Sequence, residues 1–360
     1  MRRFMFVALA AAAFAIPAAA QAAAPEPVMT GLDNPRGLAF GPEGGLYVAE
    51  AGRGGSGVCV PAPDGMGTRC YGATGAISRL WRGTQERIAT GLPSLAGQPL
   101  GDTAAGPQHI SFQGRGGLFV TIGCSCDRGN PPTGTLLEGL GFGYLMHVPA
   151  SGRAKRLVDL AGYELSANPD GAQIDSNPFG LLALPGHRLV TDAGGNSLLD
   201  VAANGSVSTV ATFPKIPGGP MGSMRDAVPT DVVVGPDGAY YVSTLTGFPF
   251  TAGTASVYRV VPGQAPTPYA TGLTQLTDLA FGRDGSLYAL QHAASIAGVP
   301  FPFAAPGAIW KVPPGGGASS TLVAGGLPRA TGLIVGADGA LYVAVNGASS
   351  GNGAVWRIVP

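Results

Sequence analysis

Hydrophobic and polar positions along this chain fall into one pattern that recurs six times: an apolar strand opening, a tight turn of Gly, Asp and Pro, and a second strand carrying an aromatic or aliphatic pair. The clearest copies read GLAFGPEGGLYVAE (Gly37–Glu50), DVVVGPDGAYYVST (Asp231–Thr244), DLAFGRDGSLYALQ (Asp278–Gln291) and GLIVGADGALYVAV (Gly332–Val345). HISFQGRGGLFVTI (His109–Ile122) and GLLALPGHRLVTD (Gly180–Asp192) are degenerate copies. A unit of this size cannot bury its own apolar face, so copies must stack on one another.

Aligned on the second strand, the copies place Tyr47, Phe119, Leu189, Tyr241, Tyr288 and Tyr342 in one register. Each interval holds two further strand-like runs, such as VYRVVP (Val257–Pro262) followed by TPYATGL (Thr267–Leu273). Four antiparallel strands repeated six times predict an all-β fold, a six-bladed β-propeller. The last unit ends at AVWRIVP (Ala354–Pro360) without a fourth strand, and PVMTGL (Pro27–Leu32) matches that missing strand. The N-terminal strand is therefore expected to complete the last blade and remove an open sheet edge. A β-helix or two packed sandwiches are the alternatives the repeat leaves open.

The chain opens MRRFMFVALAAAAFAIPAAAQAAAPEP, with a basic start at Arg2 and Arg3, an apolar stretch over Phe4–Ile16 and an Ala-rich segment. This is the pattern of a secretory signal peptide over residues 1–20, with cleavage after Ala20 and as late as Ala24, and the apolar run is too short to span a membrane. A single propeller domain is expected over 25–360, exported to the periplasm, cell surface or medium, with no transmembrane segment after cleavage and as a monomer. Lys and Arg number 21 against 21 Asp and Glu, which leaves no basic field for nucleic acid. The 59 Gly and 32 Pro sit at periodic turns between apolar strands, and so support β structure rather than disorder.

Four cysteines in an exported chain point to disulfides before redox chemistry. Cys59 and Cys70 lie in one Gly/Pro-rich loop and are expected to close it locally. Cys124 and Cys126 form a Cys-x-Cys whose pairing the sequence leaves open, and the spacing of the four does not fit a zinc site.

Turns between first and second strands are uniformly short, whereas every long insertion falls on the opposite face: Ala51–Gly75, Ser94–Gly106, Gly123–Gly141, Ala161–Asn177, Phe213–Val228, Gly247–Ala255 and His292–Gly307. Long loops on a rigid scaffold are where binding concentrates. Polar residues gather in register toward that face. The position before each first-strand apolar run holds Gly37, His109, Gly180, Asp231, Asp278 and Gly332, preceded by Arg36, Gln108, Thr230, Thr277 and Thr331. Glu50, Asp192, Thr244 and Gln291 end second strands. These residues are expected to ring the mouth of a central channel, where carboxylates and a histidine could hold Ca²⁺ or another cation or serve acid–base chemistry. Acids in such positions also cap backbone groups and pair with arginine.

The Glu and Asn-Gly-Leu strand openings typical of metal-assisted propeller lactonases are replaced by Arg36-Gly37-Leu38 and Thr331-Gly332-Leu333. No Gly-x-Ser-x-Gly elbow, phosphate-cradling loop or dinucleotide fingerprint occurs in the chain. The His-rich basic channel of a quinone-dependent sugar dehydrogenase is also missing.

The segment TGLDNPRGLAFGPEGGLYVAEAGRGGSGVCVPAPDGMGTRCYGATGAISRL (Thr30–Leu80), followed by GPQHISFQGRGGLFVTIG, resembles the ScyD/ScyE family of exported, NHL-like propeller proteins, whose first members are encoded beside scytonemin pigment genes. Its most specific piece is the Cys-loop-Cys-Tyr-Gly segment Cys59–Gly72. The resemblance implies fold and export and assigns no activity. Cys124-Ser125-Cys126 stands where the family pattern is Gly-rich, so it carries no second disulfide over.

Two functions follow as expectations. The first is a non-enzymatic binding or scaffold protein that takes a small molecule, polysaccharide or protein on its looped face, with apolar tips GFPF (Gly247–Phe250), GVPFPFAAP (Gly298–Pro306) and FPKIPGGPM (Phe213–Met221). The second is a hydrolase or lyase of lactonase or strictosidine-synthase type, resting on His109, Asp231, Asp278, Glu50 and Asp192 with His109 as the candidate base, and metal-assisted in one version.

Overall fold

A computed structural model describes residues 24–62, 67–114, 117–124, 133–294 and 305–360. The signal peptide, Cys126 and most of the Gly298–Pro306 tip lie outside the described residues. Six antiparallel sheets form six blades. Their first strands are Pro35–Phe40, Pro107–Gln113, Pro178–Leu184, Pro229–Val234, Leu276–Phe281 and Gly332–Val335. Each contacts the next, and the sixth contacts the first, so these strands line a closed ring. The ring is closed as the sequence predicts: Glu26–Leu32 pairs antiparallel with Gly353–Ile358 and becomes the outer strand of blade six.

The aligned register is also observed. Tyr47 faces Ala39, Phe119 faces Ser111, Leu189 faces Leu182, Tyr241 faces Val233, Tyr288 faces Ala280 and Tyr342 faces Ile334. In four blades the third strand sets a basic residue across from the tyrosine: Arg79, Arg259, Lys311 and Arg357. Each of these meets the acid of the tight turn, as in Arg259 Nε to Asp237 Oδ2 at 2.7 Å and Lys311 Nζ to Asp284 Oδ2 at 2.8 Å. The two degenerate blades have His147 and Asp200 opposite Phe119 and Leu189 and lack this triplet.

There is no single core. Each blade junction holds its own apolar cluster, for example Leu181, Leu199 and Val201 with Leu145 and Val158 between blades two and three. Met29 and Leu32 of the closing strand pack with Leu38, Val48 and Val355 between blades six and one. Such a ring of equivalent contacts holds the first strands rigidly about the channel, because each blade buries both faces.

The looped face is more structured than the sequence reading allows. In blade one, the strands Thr68–Trp81 and Thr84–Gly97 run on past the blade as one long hairpin, flanked by the short strands Cys59–Pro61 and Asp102–Ala105. Cys59 and Cys70 face each other across this ladder and are joined by a disulfide, as expected. Cys124 is disulfide-bonded as well. Two other long insertions contain helices, Thr133–Leu140 and Leu160–Ala167. The second is N-capped by Asp159, whose Oδ1 accepts from Gly162 N, and ends at Asn168 in the left-handed region. Phe248 and Met221 are exposed at their loop tips, but Phe213 is buried in the cluster between blades three and four.

Candidate functional site in the central channel

The ring of first strands encloses two cavities. At the looped face lies a mouth of about 250 Å³, and beneath it a deeper cavity of about 450 Å³ walled by the first strands themselves. His109, Asp231 and Asp278 line the deeper cavity; His109 and Asp278 directly follow the mouth residues Gln108 and Thr277 in sequence, whereas Thr230, which precedes Asp231 and is expected at the mouth, lines neither cavity.

The sequence alignment thus brings His109, Asp231 and Asp278 together, from blades two, four and five. His109 Nε2 is 3.7 Å from Asp231 Oδ1 and 3.8 Å from Asp278 Oδ2. The imidazole has room because blade one carries Gly37 beside it: a Cβ there would sit 2.3 Å from His109 Cδ2. Backbone amides of the next blade, and for Asp278 also of the following residue, orient both carboxylates. Leu279 N donates to Asp231 Oδ2 at 3.1 Å and to Asp278 Oδ1 at 2.8 Å, and Leu333 N donates to Asp278 Oδ2 at 2.8 Å.

Burial alone would lower the His109 pKa, but the neighbouring carboxylates of Asp278 and Asp231 outweigh it and raise the value to about 9. Burial, and then the charge of Asp278, pushes the Asp231 carboxyl well above the usual range. The two carboxylates thus favour the protonated imidazole, the form that serves as an acid.

The mouth has a different character. Arg36, Arg69, Arg329 and His292 line it together with Gln108, Asn177, Thr277 and Thr331, and no carboxylate is among its described lining residues. Arg36 Nη2 donates to Ala104 O at 2.7 Å, and Nη1 donates to the Gly347 carbonyl. Burial, then the charge of Arg69, lowers the Arg36 pKa to about 10. His292 is held down at about 4: burial lowers it, a hydrogen bond with the Ala330 carbonyl works against that, and the charges of Arg36 and Arg329 add to the lowering. Gln108 is buried, and its Oε1 has no partner among the described residues.

The threonines have committed roles. Thr230 Oγ1 donates to Leu276 O at 3.0 Å, Thr277 to Ala330 O at 3.4 Å and Thr331 to Pro35 O at 2.7 Å, each crossing to the next blade. Thr121 and Thr191 bridge to Phe179 O and Thr230 O in the same way. Blade-to-blade hydrogen bonding thus accounts for this threonine register.

Glu50 and Asp192 line neither channel cavity, which corrects their expected place at the mouth. Both end second strands, one strand outward from the axis. Glu50 accepts from Asp33 N at 2.7 Å and from Arg87 Nε at 3.0 Å. Asp192 accepts from Ser176 Oγ and Asn177 N, both at 2.6 Å, and from Gly195 N at 3.1 Å, so it organises the turn after its strand. The sequence reading missed Arg69, Arg329 and His292. Arg329 alone carried a signal there, two residues ahead of Thr331 in the last repeat.

No family model matches the chain, and no curated protein matches it in sequence. Solved structures do resemble it. A Thermus thermophilus protein described as an oxidoreductase (glucose dehydrogenase) is 17% identical with a TM-score of 0.56, over 93% of this chain and 99% of that one. The PQQ-bound aldose sugar dehydrogenase from Streptomyces coelicolor is 12% identical with a TM-score of 0.55, over 92% and 96%. Virginiamycin B lyase from Staphylococcus aureus is 11% identical with a TM-score of 0.52, over 94% and 99%. At these identities the likeness is one of fold alone, and in this chain that fold is a propeller of six blades.

Proposed function

We propose that this is an exported propeller of the ScyD/ScyE type that binds a small anionic molecule, bearing a carboxylate or phosphate, in the channel mouth. The observation that carries the reading is the clustering of three guanidinium groups, Arg36, Arg69 and Arg329, around the mouth, with no carboxylate among its described lining residues and with His292 beside them held neutral. Such a field favours an anion, and guanidinium forks suit planar oxyanions. The orphaned Gln108 Oε1 offers an acceptor for a donor group on the same ligand. A cavity of about 250 Å³ is below the range of about 300–1,000 Å³ usual for drug-sized ligands, so the guest is small.

Calorimetry with a panel of small mono- and dicarboxylates and phosphates, against neutral sugars of equal size, tests this. The expected result is selective anion binding that weakens with salt and falls at least about tenfold in Arg329→Gln, the loss of one charge-assisted contact. Equal binding of neutral and anionic compounds, or indifference to Arg329→Gln, would rule the reading out.

The solved neighbours include a lyase and a PQQ-bound aldose sugar dehydrogenase. A turnover reading through His109 would have the imidazolium act as an acid rather than a base, given the two carboxylates beside it.

A further inference from the structure

Beneath the mouth, three side chains from three blades aim one ligand atom each at a common point. We propose that His109, Asp231 and Asp278 form a binding site for a single divalent transition-metal cation of the zinc, manganese or cobalt class, open on one side to the deeper cavity.

The geometry is the first support. His109 Nε2, one Asp231 oxygen and one Asp278 oxygen all lie within 4.8 Å of one another. Around an ion bound at about 2.0–2.2 Å, neighbouring ligand atoms stand roughly 3–3.6 Å apart. The observed 3.7 and 3.8 Å from Nε2 to the two oxygens need only a few tenths of an ångström of closure.

The surroundings are the second support. Each carboxylate is held from outside the set by amides of Leu279 and Leu333, the arrangement that orients metal ligands. The ring is placed by the space at Gly37 and by the carboxylates, and a cation at Nε2 would anchor it.

Charge and ligand chemistry then select the ion. Once the ion displaces the protons held there, a neutral imidazole and two carboxylates at 3% and 2% side-chain exposure remain, and a dication matches them in charge. Imidazole nitrogen with two carboxylates suits zinc, manganese or cobalt, whereas Ca²⁺ takes about 6–8 oxygens. The amides already engage Asp231 Oδ2 and both oxygens of Asp278, so that Asp278 Oδ2 would be shared between Leu333 N and the ion, and the set cannot supply that many. Three protein ligands leave at least one coordination position, and the deeper cavity, which all three residues line, is where it opens.

The test uses the mature chain, stripped with chelator and titrated with Zn²⁺, Mn²⁺, Co²⁺ and Ca²⁺. One equivalent of a transition metal is expected, with Ca²⁺ binding at least about tenfold more weakly, and Asp231→Asn and Asp278→Asn each lowering affinity at least about tenfold. On the unmodified protein, Zn²⁺ should also shift the imidazole ¹⁵N signal of one of the four histidines, the signal missing from His109→Gln. This second readout decides the matter if the Asn variants do not fold. Absence of stoichiometric uptake, uptake that leaves the His109 signal unmoved, uptake retained by folded Asn variants, or preference for Ca²⁺ would each overturn the proposal.

Discussion

Glu164 is 1% exposed, and its Oε1 has no partner among the described residues. Burial first, and then the charges of Asp192, Asp170 and Asp175, raise its pKa from 4.5 to about 8. The folded chain therefore holds a proton there that the unfolded chain has released, so between about pH 4.5 and 8 this group lowers stability as pH rises. Glu164→Gln keeps the neutral shape. Its advantage over the natural chain should be small at pH 5 and grow to roughly 1–3 kcal/mol by pH 8, read as the difference between the two urea-unfolding curves across that range. His292 makes a second residue-scale test. Arg36 and Arg329 help to hold it at about 4, so an anion seated among them should raise that value, which a proton NMR titration of the imidazole with and without ligand would detect.

The tight turn shows why its glycines recur. Gly238 has φ of 78°, a left-handed conformation in which a side chain is strained though nothing lies near it. Gly235 is different: a Cβ there would fall 2.1 Å from Tyr241 Cε2, as the same position would meet Tyr47, Tyr288 and Tyr342 in sister blades. Gly235→Ala should thus cost about 2–3 kcal/mol through displacement of the tyrosine, and Gly238→Ala about 1–2 kcal/mol through backbone strain. Asp237→Ala, which breaks an exposed pair with Arg259, should cost about 1 kcal/mol or less. Urea midpoints of the three variants check the order. These turns were legible in the sequence because glycine spacing and apolar alternation are local and repeated. The same register gave His109, Asp231 and Asp278, since all three open first strands. It failed for Glu50 and Asp192 because only first strands face the axis, and for Arg69 and His292 because their positions depend on non-local packing over the looped face.

Closure of the ring depends on more than the paired strand. Asp33, just after the closing strand, accepts at Oδ1 from Ser350 Oγ at 3.0 Å and Gly351 N at 2.8 Å of blade six. Its Oδ2 meets Arg87 Nη2 at 3.0 Å, and the same guanidinium holds Glu50 Oε2 at 2.7 Å in blade one. Arg87 thus ties first and last blades through two carboxylates, one of them fully buried. Removing it would leave Glu50 in the interior with hydrogen bonds from Asp33 N and Ser78 but no cation. Arg87→Met should therefore destabilise the fold by about 2–4 kcal/mol, and adding Glu50→Gln should restore part of the loss, because the uncompensated charge is then gone. The damage should be local in its first effects. Amides of Glu26–Leu32 and Gly353–Ile358 should exchange with solvent faster in Arg87→Met, while those of Tyr240–Thr244 in blade four keep their protection under native conditions. Uniform acceleration across all blades would instead mean that the ring opens only by unfolding as a whole, with the seam no weaker than any other junction.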